Sequence, residues 1–311
     1  MTSSSVPVPG AGHRFALALL LLAACHAAGG VGLQPPSPLW GGLESGRYRV
    51  GLSLLFERDT TRPALGPDSA PPPGRPMQIV VWYPAGAAGD RPVTLRQYIE
   101  LSAGALGPDS ATAERRRRLV EGFASEPRSN GIAQSAVDSL LGTPMGAVVD
   151  APPAGGRFPL LVFLHASPWG ASVMSEYLAS HGFVVAAIES KGAREAPYRL
   201  SRANLDAMVR DAGFTVTRMR REPFVGELLG IIGMSNGAIA AVALQLGGIV
   251  PQAVVSLDGG IGEQAGGSYL GSVSGAVATR FTVPLLHLYT PDNRYLDFQY
   301  LRSYQAAPRT M

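Results

Sequence analysis

The chain has 311 residues and a formal net charge of +3; 46% of it is hydrophobic and 16% charged. So small a charge, with arginines that gather on no identifiable face, excludes a charge-driven nucleic-acid binder. No phosphate-binding glycine loop and no metal-ligand spacing is legible, so the chain is read as using neither nucleotide, metal nor other cofactor.

The first segment reads as a targeting sequence. His13 and Arg14 precede an apolar run over 15–22, too short to span a bilayer and followed by small residues. Residues 1–24 therefore have the layout of a signal peptide. The run ends Leu22-Ala23-Ala24-Cys25, and Cys25 is the only cysteine in the chain. This ending resembles the lipobox of bacterial lipoproteins, which implies that Cys25 carries lipid and tethers an exported protein to a membrane. Plain secretory cleavage near Ala27, giving a periplasmic or secreted protein, is the alternative. Residues 25–45, rich in Ala, Gly and Pro, read as a linker, and a single folded domain is expected over 46–311.

The domain opens with two predicted strands. Residues 48–57 alternate loosely, with Val50, Leu52 and Leu54 on one side, and residues 77–83 are rich in valine. The proline-rich stretch 63–76 joins them, which predicts a long-looped antiparallel pair at a sheet edge. Residues 93–142 are polar, lack strand signals and contain Arg115-Arg116-Arg117-Arg118. They predict a helical insertion whose arginine run is a solvated face.

From residue 158 the pattern alternates. Short apolar runs at 159–164, 183–188, 228–232, 253–257 and 283–288 predict strands. Helices are expected at 174–180, at 238–246 and over 295–304. Leu205, Met208, Val209, Ala212, Val216 and Met219 fall at helical spacing. Strands buried on both faces and alternating with helices predict an α/β fold, with a mostly parallel central sheet flanked by helices. The glycine- and serine-rich stretch 259–275 reads as a loop that shapes a pocket, together with the insertion.

One motif carries chemistry. Gly233-Met234-Ser235-Asn236-Gly237 matches G-x-S-x-G, and it follows an apolar strand and opens an alanine-rich helix, the context this motif requires. The turn forces the serine into a strained backbone conformation, and the glycines leave room for it. Its product is a hydroxyl exposed above the sheet beside helix N-terminal N–H groups. Ser235 is the candidate nucleophile, and the Asn236 N–H one candidate oxyanion donor. The first parallel strand ends Leu164-His165-Ala166-Ser167, so the backbone N–H of Ser167 or Ala166 is the candidate second donor. Asp258, at the end of the following strand, and Asp292, one strand later, both satisfy the chain order nucleophile, acid, histidine.

These motifs sit in a wider likeness. The stretch FPLLVFLHASPWGASVMSEYLASHGFVVAAIE, the early GRYRVGLSLLFERD and RPMQIVVWYPA, the elbow GMSNGA and AVVSLDGG resemble the plasma-type platelet-activating-factor acetylhydrolases and their bacterial, dienelactone-hydrolase-like relatives. The resemblance covers about residues 46–90 and 145–300. It implies an α/β-hydrolase fold and a serine esterase acting on a small or lipid-like ester through an acyl-enzyme. It favours Asp258 as the acid over Asp292. Where that family usually has glycine after the strand-end histidine, this chain has Ala166.

The histidine is harder to place. His26 lies in the linker, His181 before a strand and His287 within one, and His165 ends a strand. None follows the acid in a loop at the top of the sheet. The expectation is that an intact relative supplies the base beyond Met311, on a strand and helix expected to be missing from this chain. His165 and His287 are the internal alternatives. The competing function is a catalytically inactive lipoprotein that binds a lipid or ester.

Overall fold

A computed structural model describes residues 37–62, 74–86, 91–193, 198–273, 281–302 and 309–310. The expected signal peptide, Cys25, His26, the start of the expected linker and most of the 63–76 connection lie outside the described residues. In chain order the elements are β1 (Arg49–Asp59), β2 (Arg75–Ala85), β3 (Pro92–Thr94), α1 (Leu95–Leu101), α2 (Ala113–Ser129), α3 (Gln134–Leu141) and β4 (Pro144–Val149). Then come β5 (Phe158–Leu164), α4 (Pro168–Ser180), β6 (Val184–Ile188), α5 (Arg202–Met219), β7 (Val225–Met234) and α6 (Asn236–Leu246). The last are β8 (Ala253–Leu257), α7 (Gln264–Val273), β9 (Leu285–Leu288), α8 (Phe298–Arg302) and β10 (Arg309–Thr310).

All ten strands join one sheet in the order β10-β9-β8-β7-β5-β6-β2-β1-β4-β3. From β6 to β10 every neighbouring pair is parallel. The first hairpin is antiparallel along its length, from Arg49↔Ala85 to Asp59↔Arg75, and β2 is also antiparallel to β6. The hairpin is therefore interior, not at the edge that its long proline-rich connection suggested. All eleven residues of β2 are buried. The edge on that side belongs to β3, paired with β4, and the polar, proline-flanked sequence around 92–144 announced neither strand.

Successive residues of β2 feed opposite faces, as the pleat requires. Ile79, Val81 and Tyr83 join the core that also holds Leu205, Met208, Ala212 and Val216 of α5 and nearly all of α6. Val80 and Trp82 join the opposite core with Tyr98 of α1 and Ala171 of α4. Helices cover both faces, so the sheet is buried as an α/β layer structure. Helix α4 is longer than its apolar pattern implied, because Ser167 caps it and Pro168 starts it. Residues 264–273 form helix α7 where a loop was expected. Its glycines serve close packing: a Cβ at Gly266 would lie 1.9 Å from the Gly260 carbonyl oxygen.

Two buried polar clusters lock the layers. Glu176 of α4 accepts hydrogen bonds from Trp40 Nε1 (3.0 Å), Tyr98 Oη (2.7 Å), Gly146 N (2.8 Å) and Ala147 N (3.0 Å). Burial pushes its carboxyl upward, opposed by these donors. The end of the segment read as a linker is thus docked, through the 3₁₀ turn Pro38–Trp40. On the other face Asp211 of α5 pairs with both Arg75 and Arg62 at 2.7 Å. Lys191, the only lysine, donates to the carbonyls of Pro76 (2.7 Å) and Ala105 (2.9 Å). The arginine run lies on α2, where Arg117 and Arg118 pair with Glu114 at an exposed surface.

Candidate active site

Four non-glycine residues among those described have positive φ: Asp150, His165, Ser235 and Asp258. The last three each follow directly on the final residue of β5, β7 and β8, neighbouring parallel strands. Such conformations cost on the order of 1–3 kcal/mol each and persist where the surroundings over-determine them. The strain therefore gathers at the carboxyl ends of three adjacent strands, where ligands bind in open α/β sheets.

Ser235 has φ 49° and ψ −119°. Its N–H donates to the Leu257 carbonyl (3.0 Å), and its own carbonyl accepts from Ala238 and Gly260 (both 3.1 Å). The flanking glycines are dictated by space. A Cβ at Gly233 would fall 2.4 Å from Ala238 N, and one at Gly237 would fall 2.3 Å from the Leu164 carbonyl oxygen. The serine side chain is left exposed at the head of α6. The first N–H groups of that helix have no intrahelical acceptor and carry its positive dipole end.

The same close approach joins the elbow to the end of β5, since the Gly237 position also meets His165 Cβ at 2.9 Å. Asn236 and the Ala166–Ser167 stretch are thereby brought to neighbouring strand ends. Ala166 is buried, and Ser167 caps α4 by accepting from Gly170 N at 3.2 Å.

Asp258 sits one strand from Ser235. Its carboxylate accepts from Asn293 Nδ2 (3.1 Å), Thr290 Oγ1 (3.3 Å) and Thr290 N (3.4 Å). Asp292, the rival acid, belongs to this same turn and is exposed. The two acids therefore lie on adjacent loops in contact, after β8 and after β9: the first organises the turn that carries the second.

The histidines are placed as follows. His165 packs edge-on against Tyr198 with centroids 4.9 Å apart, and its buried Nδ1 has no partner. Burial pushes it below the usual histidine range. His287 of β9 meets Ser256 Oγ through Nδ1 at 2.8 Å, and its buried Nε2 has no partner. Burial lowers it too, opposed by the Asp258 charge. His181 closes α4, with Nδ1 2.8 Å from the Tyr177 carbonyl. Among the described residues, no imidazole is hydrogen-bonded to Ser235 or Asp258.

Beside Ser167 opens a cavity of about 590 Å³ between the sheet and the insertion. Phe123 and Leu119 of α2, Ile99 of α1 and Trp169 form apolar walls, and Glu189, which follows β6, contributes a carboxyl. Sequence reasoning passed over Glu189. The available signal was an acid directly after an apolar parallel strand. Among the described residues no cluster of His, Cys, Asp or Glu could hold a metal, and no helix is long and apolar enough to cross a membrane.

No family model matches the chain, and no curated protein sequence matches it significantly. Solved structures do. A ferulic acid esterase from Streptomyces cinnamoneus aligns with a TM-score of 0.55 at 19% identity, over 86% of this chain and 73% of that one. Puromycin hydrolase aligns at 15% identity and TM-score 0.42 over 82% of this chain, which spans only 34% of that enzyme. Est1E from Butyrivibrio proteoclasticus aligns at 12% identity and TM-score 0.36, over 50% of this chain and 77% of the other. The likeness to the first structure, with the sheet order and the elbow, gives the chain the α/β-hydrolase fold.

Proposed function

We propose that this α/β-hydrolase-fold chain is a serine carboxylic-ester hydrolase acting on a small or lipid-like ester. The observation that carries the reading is Ser235: a non-glycine residue held at φ 49°, exposed at the N-terminus of a buried helix. In this reading its hydroxyl attacks the ester carbonyl. The N–H of Asn236 and that of Ser167 or Ala166 hold the oxyanion, and such a donor supplies roughly 3 kcal/mol to the transition state. The alcohol leaves, and water releases the acyl group from Ser235. Asp258 is the acid that orients and stabilises the histidine that takes the Ser235 proton and passes it to the leaving alcohol, and His165 and His287 are the internal candidates for that base. The sequence resemblance to acetylhydrolases of the platelet-activating-factor type supports the ester class. The Leu-Ala-Ala-Cys ending supports export and anchoring through lipid on Cys25, which mass spectrometry of the mature N-terminus tests.

A second reading has its own observation. The Ser235 hydroxyl has no imidazole partner among the described residues, and serine without a base is a weak nucleophile. A non-catalytic ester-binding protein fits that. The deciding experiment treats the 311-residue chain and Ser235→Ala with a fluorophosphonate and with p-nitrophenyl esters. Labelling and turnover by the parent, both lost in the variant, support the hydrolase. Absence of both in a folded parent supports the binding protein.

A further inference from the structure

The cavity beside Ser167 has a chemistry that narrows the ligand. Its volume of about 590 Å³ is within the range of small-molecule sites. Phe123 of α2 and Trp169 of α4 meet edge-to-face, with centroids 5.2 Å apart and planes at 78°. This wall suits a flat apolar group, which meets aromatic edges and faces at such geometries. Trp169 is 43% exposed although it is large and apolar, so the protein itself does not cover it.

Glu189 supplies the polar element. Its Oε2 is out of solvent and without a hydrogen-bond partner. Burial pushes this carboxyl upward, opposed by the Ser102 hydroxyl and by the charges of Lys191 and Arg115. A buried acceptor left unpaired is costly, and a ligand donor removes that cost. The donor's charge is also constrained. Arg118 and Glu126 both line the cavity and Arg115 lies within electrostatic reach of Glu189, so a cationic head meets charges of both signs and carries its own desolvation cost. A neutral hydroxyl meets no such penalty.

We infer that this cavity is the specificity pocket for one side of the ester, and that it selects a flat, aromatic group ending in a hydroxyl that hydrogen-bonds Glu189. The inference rests on the ester-hydrolase reading for its link to Ser235, which Ser167 supplies as both a cavity wall and a candidate oxyanion donor. Glu189 acts here as a specificity-determining residue.

The test separates binding from chemistry. Methyl 3-(4-hydroxyphenyl)propanoate and methyl 3-phenylpropanoate are titrated by calorimetry into the full chain carrying Ser235→Ala, which cannot turn them over by this mechanism. The hydroxylated ester is expected to bind about tenfold more tightly, the scale of one hydrogen bond to a carboxyl group. It should also quench Trp169, since the other tryptophans, Trp40 and Trp82, are buried. Adding Glu189→Leu should bring the two affinities within about twofold. Equal affinities with Glu189 intact, or a hydroxyl preference that survives Glu189→Leu, overturn the inference, as does absence of binding. The first comparison needs no Glu189 variant and so stands even if that variant misfolds. Selective binding by a protein that never hydrolyses esters would sink the hydrolase reading and leave the pocket. Turnover of both esters with no selectivity would do the reverse.

Discussion

A methyl group at Gly237 has nowhere to go: it would lie 2.3 Å from the Leu164 carbonyl and 2.9 Å from His165 Cβ. Those neighbours are backbone and strand end, not the far end of a flexible side chain. Gly237→Ala is expected to cost on the order of 1–3 kcal/mol in urea unfolding and to abolish phosphonate labelling at Ser235, because the elbow can open only by moving α6. The two acids can be told apart at the same scale. In a form that turns esters over through Ser235, Asp258→Asn should lower turnover on the order of 10⁴-fold, the scale of losing the base's partner in such a triad, while Asp292→Asn should leave it within about threefold. Steady-state kinetics on one p-nitrophenyl ester checks both, and a reversal of the two effects would make Asp292 the acid. The elbow was legible in the sequence because its glycines answer to local backbone contacts that spacing reveals. Glu189 was not, since its significance lies in what the insertion places opposite it.

Elements were legible where one face was apolar. The helical period of α5 from Leu205 to Met219 and the apolar runs of β5 to β9 gave both type and approximate limits. Failures came where another force governs. The three-residue β3 exists because β4 needs a neighbour, and α7 is helical despite Gly266, Gly267 and Gly271 because Gly260 and Tyr300 press against it. The anchoring of α4 was likewise invisible, because a lone glutamate in an otherwise apolar helix says nothing about its four donors. Glu176→Ala would strand two buried backbone N–H groups, an indole and a phenol. The expected loss is about 3 kcal/mol or more, read as a lowered urea midpoint at unchanged slope. A loss below about 1 kcal/mol would mean that water or a rearranged Tyr98 takes over.

At the scale of the molecule the two faces of the sheet are held by different chemistry, and one of them responds to pH. Burial lowers the Lys191 ammonium to about 8 from its ordinary 10.5. Asp211 and Glu189 oppose the shift, and Arg75 and Arg62 add to it. The unfolded chain therefore keeps this proton to higher pH than the folded one, and stability rises with pH between about 8 and 10.5. Compared with Lys191→Met, the parent should gain about 3 kcal/mol of unfolding free energy from pH 7.5 to pH 10.5. Parallel pH profiles for the two proteins would show that Lys191 titrates normally. The order of the whole sheet was not legible, because β2 pairs with β6 and not with β5, and nothing local announces a partner over a hundred residues away. The docking of Trp40 on Glu176 has a practical corollary for handling the protein. Ser37, whose hydroxyl donates to the Pro144 carbonyl at 2.8 Å, belongs to the same anchor. A shortened form beginning at Gly46, where the strand pattern starts, would be pulled apart by heat well before one beginning at Ser37.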